Sequence, residues 1–229
     1  MQIVILAAGE GKRMRPLTEH VPKPMLKIDG KTIIEHILAV LPQDVDEVIL
    51  VVGYLKESIM NYFGDFFEGR RIRYVVQEKP LGTGHALFEC QKLLTGRFMV
   101  MMADDLHSSR DITALLSSGD NGILVKAVAG TFTGGKMVMN ESQELTAVLE
   151  GTHTEGQGYV NAAVYVLTPE IFNYPLVAIK DGAEFGLPQT IVTMARTTPV
   201  KLVPSHDWTQ ITDAADFARV TASLQNSLT

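Results

Sequence analysis

Short apolar runs separated by helical stretches fill the first hundred residues, and that alternation restricts the fold more than anything else in the chain. Residues 2–7 (QIVILA), 47–52 (EVILVV), 72–77 (IRYVVQ) and 97–103 (RFMVMMA) are rich in β-branched and other apolar residues. A strand with one wet face alternates apolar and polar residues, whereas a strand covered on both faces reads as a continuous apolar run. Between these runs, 31–41 carries apolar residues at 33, 34, 37, 38 and 41, which fall on one helical face. Residues 55–63 read as a helix stopped by Gly64, and 84–94 as a helix opened by the LGTG turn. Strand, helix, strand in repetition predicts a largely parallel sheet with helices on both faces.

The pattern loosens after residue 110. Residues 122–128 and 159–167 read as strands, and GGKMVMN with ELTAVLE reads as a hairpin. TEGQG (154–158) reads as a loop, 187–195 as a helix and 200–204 as a short strand. Residues 212–225 read as a last helix, N-capped by Thr212 or Asp213. No stretch rich in Pro, Gly or Ser divides the chain. The expectation is a single Rossmann-like α/β domain, 1–229, with a mostly parallel first half (1–110) and a small antiparallel part in the second half (111–229).

The turn after the first strand carries the chemistry. The chain is acidic, with a net charge of −6, which argues against a nucleic-acid partner. Yet Lys12, Arg13, Arg15, Lys23 and Lys27 crowd its first 28 residues against only Glu10 and Glu19. A basic loop on an acidic protein suits a small anion better than a polyanion. Glycines at the carboxyl edge of a parallel sheet let backbone N–H groups approach phosphate oxygens. The dinucleotide fingerprint fails, because Met14 stands where the third glycine is needed; the P-loop fails at Leu6 and Arg13. What remains is Gly9-x-Gly11-Lys12-Arg13 followed by Pro22-Lys23-Pro24, three cations near one turn, with prolines fixing φ on either side of Lys23.

These stretches resemble the sugar-phosphate nucleotidylyltransferases, whose pattern is an apolar strand, A-G-x-G-x-R-[LM]-x-P-x-T, then P-K-P-[LM]. LAAGEGKRMRPLT and PKPML match it. Gln77 with LGTGHAL is similar to the family's base-reading segment, VMMADD to its strand ending in G-D, and YVNAAVYVL to its N-A-G-[IV]-Y segment. The resemblance runs to about residue 220. It implies transfer of a nucleotidyl group from a nucleoside triphosphate to a sugar 1-phosphate, giving an NDP-sugar and pyrophosphate by in-line attack on the α-phosphate. Leu6, Ala7, Ala8, Gly9 and Gly11 would cradle the nucleotide, Arg13 with Lys12 would stabilise the α-phosphate and the departing pyrophosphate, and Lys23 would draw the reactants together. Asp104 would hold Mg²⁺. Gln77, Gly82 and Thr83 would read the base, with UTP or dTTP favoured, and Glu150, Asn161 and Glu184 would meet sugar hydroxyls. Arg13, Lys23 and Asp104 are thus the expected catalytic set.

Two positions depart from the family. Glu150-Gly151-Thr152 lacks the lysine of the usual E-K-P, leaving Lys126, Lys136 or Lys180 as substitutes. Gln210 stands where an acid usually supplies a second metal ligand, with Asp213 as an alternative. These departures keep open a non-catalytic sugar-nucleotide sensor, and VVGYLKE after the second strand keeps open a cytidylyltransferase acting on a small phosphorylated alcohol such as phosphocholine. His85 in the first turn of its helix reads as a capping or packing residue, Met99, Met101 and Met102 as buried strand residues, and Trp208 as a packing anchor; His107, His153 and His206 show no metal spacing. The apolar runs are far short of the roughly 20 residues that cross a membrane, Met1 leads straight into a strand with no room for a signal peptide, and Cys90 is the lone cysteine. A cytoplasmic enzyme with no membrane partner is expected, with homo-oligomerisation left open and no hexapeptide-repeat acyltransferase module.

Overall fold

In the computed structural model, residues 1–154, 156–179 and 182–226 are described. The four early apolar runs are parallel strands: β1 (Gln2–Ala7), β2 (Glu47–Val52), β3 (Arg70–Val76) and β4 (Phe98–Met102). They lie in the order β4–β1–β2–β3, with Ile3 opposite Met99 on one side and Val48 on the other. Both faces are covered, as their composition requires. Ile3, Ile5 and Ala7 pack on α1 (Ile33–Ala39) and α2 (Lys56–Phe63). Val4 turns the other way, toward α3 (Gly82–Phe88).

Helix ends differ from the sequence reading where local chemistry sets them. Thr32 is extended and caps α1 reciprocally: its hydroxyl accepts from the Glu35 N–H at 3.1 Å, and its own N–H donates to Glu35 Oε2 at 2.6 Å. α3 starts earlier than the apolar period suggests and gives way to a 3₁₀ turn over Gln91–Leu93, where Leu93 N–H donates to Cys90 O.

In the second half, β5 (Asp105–Leu106) and α4 (Ser109–Leu116) precede β6 (Gly122–Ala129). The expected hairpin is β7 (Lys136–Met139) and β8 (Leu145–Leu149), paired antiparallel. The long β9 (Gln157–Leu167) joins the halves. Its end pairs antiparallel with β4, Leu167 opposite Phe98, while its start runs between β6 and β7. The register slips between Asn161 and Tyr165, where Ala163 takes φ 60° and its N–H donates to Asn161 Oδ1 at 3.0 Å. Ala therefore stands in a left-handed conformation at the position where the family's N-A-G pattern has glycine.

The chain closes with β10 (Glu184–Gly186), α5 (Leu187–Ala195), β11 (Lys201–Pro204), β12 (Thr209–Gln210) and α6 (Ala214–Asn226). β11 lies parallel to β6. Ile191 and Met194 of α5 cover the same face as α3, and Val220 of α6 the opposite one. The result is one mostly parallel α/β sheet flanked by helices, with the antiparallel β7–β8–β9 part at one end. Asp213 is the N-cap of α6, its Oδ1 accepting from the N–H groups of Ala215 and Asp216 at 2.9 and 3.0 Å. No described helix is long and apolar enough to cross a membrane.

Candidate active site

A cleft of about 530 Å³ opens at the carboxyl ends of β1 and β4. Its lining includes every expected nucleotide contact: Leu6, Ala7, Ala8, Gly9, Gly11, Lys12, Arg13, Gln77, Gly82 and Thr83. Lys23, Asp104 and Glu184 line it too. Thus the glycine turn, the P-K-P segment, the strand-end aspartate and the LGTG turn, which the sequence separates widely, share one cavity.

Backbone geometry shapes the turn. Gly11 has φ 62°, and a Cβ there would sit 3.0 Å from Lys23 Cβ. Only glycine lets this loop bend left-handed and lie against the lysine stem. Thr18 Oγ1 donates to Gly11 O at 2.9 Å, and Tyr54 OH donates to Thr18 O at 3.0 Å, so the turn is braced from the end of β2. Lys23 opens a 3₁₀ turn behind extended Pro22. Its Nζ donates to Asp104 Oδ2 at 2.7 Å, with the lysine side chain 8% exposed and the aspartate 38%. Lys12 pairs with Glu10 at 2.9 Å on the exposed rim. Arg13 is exposed and has no carboxylate partner among the described residues.

The opposite wall is built from α3 and β10. Gly82 has φ 90°, and a Cβ on it would lie 2.6 Å from Phe185 O. The missing side chain lets the two backbones touch: Phe185 N–H donates to Leu81 O at 2.8 Å, and Leu187 N–H to Thr83 Oγ1 at 3.1 Å. That contact carries Glu184 to the cleft. Gln77 is buried at the end of β3; its Nε2 donates to Gly82 O at 3.1 Å and to His85 Nδ1 at 3.2 Å, and His85 Nε2 lies 3.3 Å from Glu89 Oε1. His85 is therefore a polar bridge rather than a cap.

Behind Asp104 lies a polar ribbon that sequence periodicity does not reveal. β12 pairs antiparallel with β5, setting Gln210 opposite Asp105, and Ile211 N–H donates to Asp104 O at 3.2 Å. Asp111 at the start of α4 ties the ribbon down: its fully buried carboxylate accepts from Ser205 Oγ at 2.7 Å and from the N–H groups of His206 and Asp207 at 2.9 Å. Burial opposes its ionisation, but these donors, led by the Asp207 N–H, hold its carboxyl below the usual value. Asp105 is the reverse case. Burial, helped by neighbouring Asp104 and opposed by Lys23, pushes its carboxyl well above the usual value. Trp208 faces it and works weakly the other way, yet among the described residues neither Asp105 Oδ1 nor Trp208 Nε1 makes a hydrogen bond of full geometry. His107 is buried with neither ring nitrogen paired, and burial lowers its pKa to about 4.

Several expected residues lie elsewhere. Glu150 and Asn161 are not in the cleft lining: Glu150 Oε1 accepts from Gln189 Nε2 at 2.8 Å, and Asn161 bonds the Tyr165 hydroxyl and the Ala163 N–H across the β9 bulge. Of the substitute lysines, Lys126 donates to His206 O at 2.7 Å and Lys136 lines a separate apolar hollow on β6, β7 and β9; Lys180 lies outside the described residues, as does Glu155 of the 154–158 loop. Asp213 is occupied as a cap. Met99 and Met101 are buried as expected, but Met102 is only half-buried and lines the cleft. Thr212 also lines it, a placement set by the β5–β12 pairing and visible in no local motif.

The nucleotidyl transferase family matches residues 2–224. The chain is 35% identical over 174 residues to the bifunctional protein GlmU of Methanococcus maripaludis, covering 75% of this chain and 41% of that protein, so it spans about two fifths of such relatives. It is 32% identical over 207 residues to the UTP–glucose-1-phosphate uridylyltransferase AglF of Haloferax volcanii (86% and 84% of the two chains). It is 34% identical over 174 residues to the D-glycero-alpha-D-manno-heptose 1-phosphate guanylyltransferase of Campylobacter jejuni (76% and 78%). In fold it is similar to a UDP-glucose pyrophosphorylase crystallised with UDP-glucose, with a TM-score of 0.79 at 19% identity over 99% of this chain and 98% of that one. With a match along nearly its whole length and curated relatives above 30% identity over most of it, the chain belongs to the nucleotidyl transferase family, among the sugar-phosphate nucleotidylyltransferases.

Proposed function

We propose that the protein joins a nucleoside triphosphate to a sugar 1-phosphate, releasing pyrophosphate and an NDP-sugar, with UTP or dTTP as the favoured nucleotide. One observation carries this reading: the amide-lined Gly9–Gly11 turn, Arg13, Lys23 and Asp104 share a single cleft with the Gln77–Thr83 wall. A phosphate oxygen of the sugar 1-phosphate attacks the α-phosphorus, the bond from that phosphorus to the bridging oxygen of the β-phosphate breaks, and pyrophosphate leaves with the electron pair. No covalent intermediate with the protein is required, so catalysis is positioning and charge neutralisation.

Arg13, exposed and unpaired, presents a planar fork to phosphate oxygens. Lys23 is held on its short stiff turn, where its ammonium can reach the phosphates of both reactants. Mg²⁺ suits the donor set. Asp104 gives a partly exposed carboxylate at a strand end, and among the described residues no cluster of three His, Cys, Asp or Glu side chains makes an all-protein cage. Mg²⁺ commonly takes one or two carboxylates and fills its sphere with phosphate oxygens and water. Asp104 would hold it, and the ion would neutralise phosphate charge. Gln210 is neutral and Asp105 is turned into the protein, so Asp104 is the carboxylate we assign to it. Among the expected sugar contacts, Glu184 lines the cleft, and we assign sugar hydroxyls to it before Glu150 or Asn161. Cys90 is the lone cysteine, which leaves no disulfide to form within the chain and suits a reducing cytoplasm; burial pushes its thiol up to about 12 and keeps it unreactive.

The test is pyrophosphate release from a panel of nucleoside triphosphates and sugar 1-phosphates with Mg²⁺. Turnover of at least one pair is expected. Binding of sugar nucleotides with no turnover of any pair would replace this reading with a sensor.

A further inference from the structure

We propose that His85, backed by Glu89, fixes which way round the Gln77 amide faces the cleft, and so restricts the site to bases that offer a ring N–H on their pairing edge: uracil, thymine or guanine. This rests on the proposed reading in one respect, that the Gln77–Thr83 wall meets the base.

The argument is one of donors and acceptors. Gln77 Nε2 lies 3.1 Å from Gly82 O and 3.2 Å from His85 Nδ1. A backbone carbonyl accepts and never donates, so Gly82 O decides which end of the amide points at it. His85 Nδ1 therefore faces an N–H and must be the lone-pair nitrogen of the ring. The ring proton then sits on Nε2, which lies 3.3 Å from the carboxylate of Glu89, one helical turn on. Donation runs from Gln77 to His85, the Glu89 carboxylate faces Nε2 at ion-pair distance, and both amide N–H groups are spent. Gln77 Oε1 has no hydrogen-bond partner among the described residues, and Gln77 lines the cleft while being 93% buried. A flipped amide would set Oε1 against Gly82 O, a lost bond and a repulsive contact, and would ask the ring proton to move to Nδ1, away from the Glu89 carboxylate.

A fixed acceptor asks for a donor. Uracil and thymine present N3–H, and guanine N1–H. Cytosine N3 and adenine N1 are lone pairs and would oppose Oε1. A buried site built to receive an N–H discriminates strongly against a group that cannot supply one. His85 touches neither base nor phosphate in this scheme and is a positioning residue; the glycine turn and Lys23 make no contact with it.

Binding of UTP, dTTP, GTP, CTP and inorganic pyrophosphate is measured by calorimetry with Mg²⁺ on the whole chain. At least one of UTP, dTTP and GTP is expected to bind about 100-fold or more tighter than CTP. In His85→Ala only Gly82 O orients the amide, and that ratio falls about tenfold while pyrophosphate affinity stays put. His85→Asn places an oxygen where Nδ1 stands and keeps the ratio, an outcome that loss of packing alone would not give. Should His85→Ala fail to fold, Glu89→Ala at the exposed helix end reports instead, with the ratio falling about threefold as the ring loses its tautomer partner. An unchanged ratio in folded His85→Ala, or in Glu89→Ala where that variant stands in for it, or CTP bound as tightly as the best of the other three by the unmodified protein, overturns the proposal and leaves the transferase reading standing if turnover persists. No binding of any triphosphate overturns both.

Discussion

Lys23 and a divalent cation compete for one carboxylate. The Lys23 ammonium holds Asp104 Oδ2 at 2.7 Å, on the carboxylate that a divalent cation would need. Lys23→Met keeps the apolar stem that packs beside Gly11 and removes the charge. A charge-assisted hydrogen bond is worth about 1.5–3 kcal/mol net. Asp104 is 38% exposed, so water screens the pair and the lower end applies. Roughly 1.5 kcal/mol is about tenfold in affinity. A cation binding Asp104 in the variant no longer displaces an ammonium, so Mn²⁺ binding without nucleotide, followed by electron paramagnetic resonance, should tighten about tenfold. The same variant should lose about 100-fold or more in kcat for pyrophosphate release, because a preorganised positive charge is gone from the reacting phosphates. Its urea midpoint should hold, since the carboxylate left behind opens to cleft water. Two readouts moving in opposite directions separate this scheme from general damage. Mn²⁺ affinity that weakens or stays constant would refute the competition, and an unchanged kcat would remove Lys23 from the reaction.

Three further outcomes are expected. His107 is held neutral with a pKa of about 4 against an ordinary 6.5, so the unfolded chain takes up a proton that the folded one refuses as pH falls through that window. Folding stability should therefore drop by about 2 kcal/mol more between pH 7 and pH 5 in the parent protein than in His107→Leu, measured by urea unfolding, and equal drops would contradict a neutral buried ring. Asp111→Ala leaves the N–H groups of His206 and Asp207 and the Ser205 hydroxyl without their acceptor, and should cost about 3 kcal/mol by urea unfolding, with a loss of under 1 kcal/mol showing that the turn is held by something else. Gly82→Ala drives a methyl into Phe185 O at 2.6 Å from a φ of 90° and should cost about 2 kcal/mol or more while weakening nucleotide binding; wild-type values in both would refute the tight junction of α3 with β10.

What could be read from the sequence followed how locally each feature is encoded. β1 and β2 match the runs 2–7 and 47–52 to the residue, because burial on both faces writes an unbroken apolar signal, and α5 matches 187–195, where Leu187, Ile191 and Met194 recur at helical spacing. α1 is shorter than its apolar period, since the Thr32–Glu35 capping box decides the boundary. α4 shows only Ile112 and Leu115 as buried apolar residues, too few to form a period. The glycine turn was legible because contiguous backbone makes it. The Lys23–Asp104 pair spans 81 residues, and the β5–β12 ribbon joins two-residue strands more than a hundred positions apart; neither leaves a local pattern. Hydrogen-bond direction is less visible still. His85 and Glu89 sit one helical turn apart in any reading, but only the fold brings Gln77 to the other side of the ring.

The lysine missing after Glu150 shows where the two kinds of information meet. The sequence reports the gap and offers replacements, yet Lys126 is engaged with His206 O and Lys136 lines a different hollow. Among the described residues, the lysines and arginines lining the cleft are Lys12, Arg13 and Lys23. Lys12 is matched by Glu10 on the exposed rim, which leaves Arg13 and Lys23 for two anionic reactants. Arg13 sits on the glycine turn that we propose holds the triphosphate, which would leave the sugar phosphate to Lys23. Its ammonium has three N–H donors and Asp104 takes one, so the lysine can receive the sugar phosphate while the carboxylate keeps it aimed at the cleft.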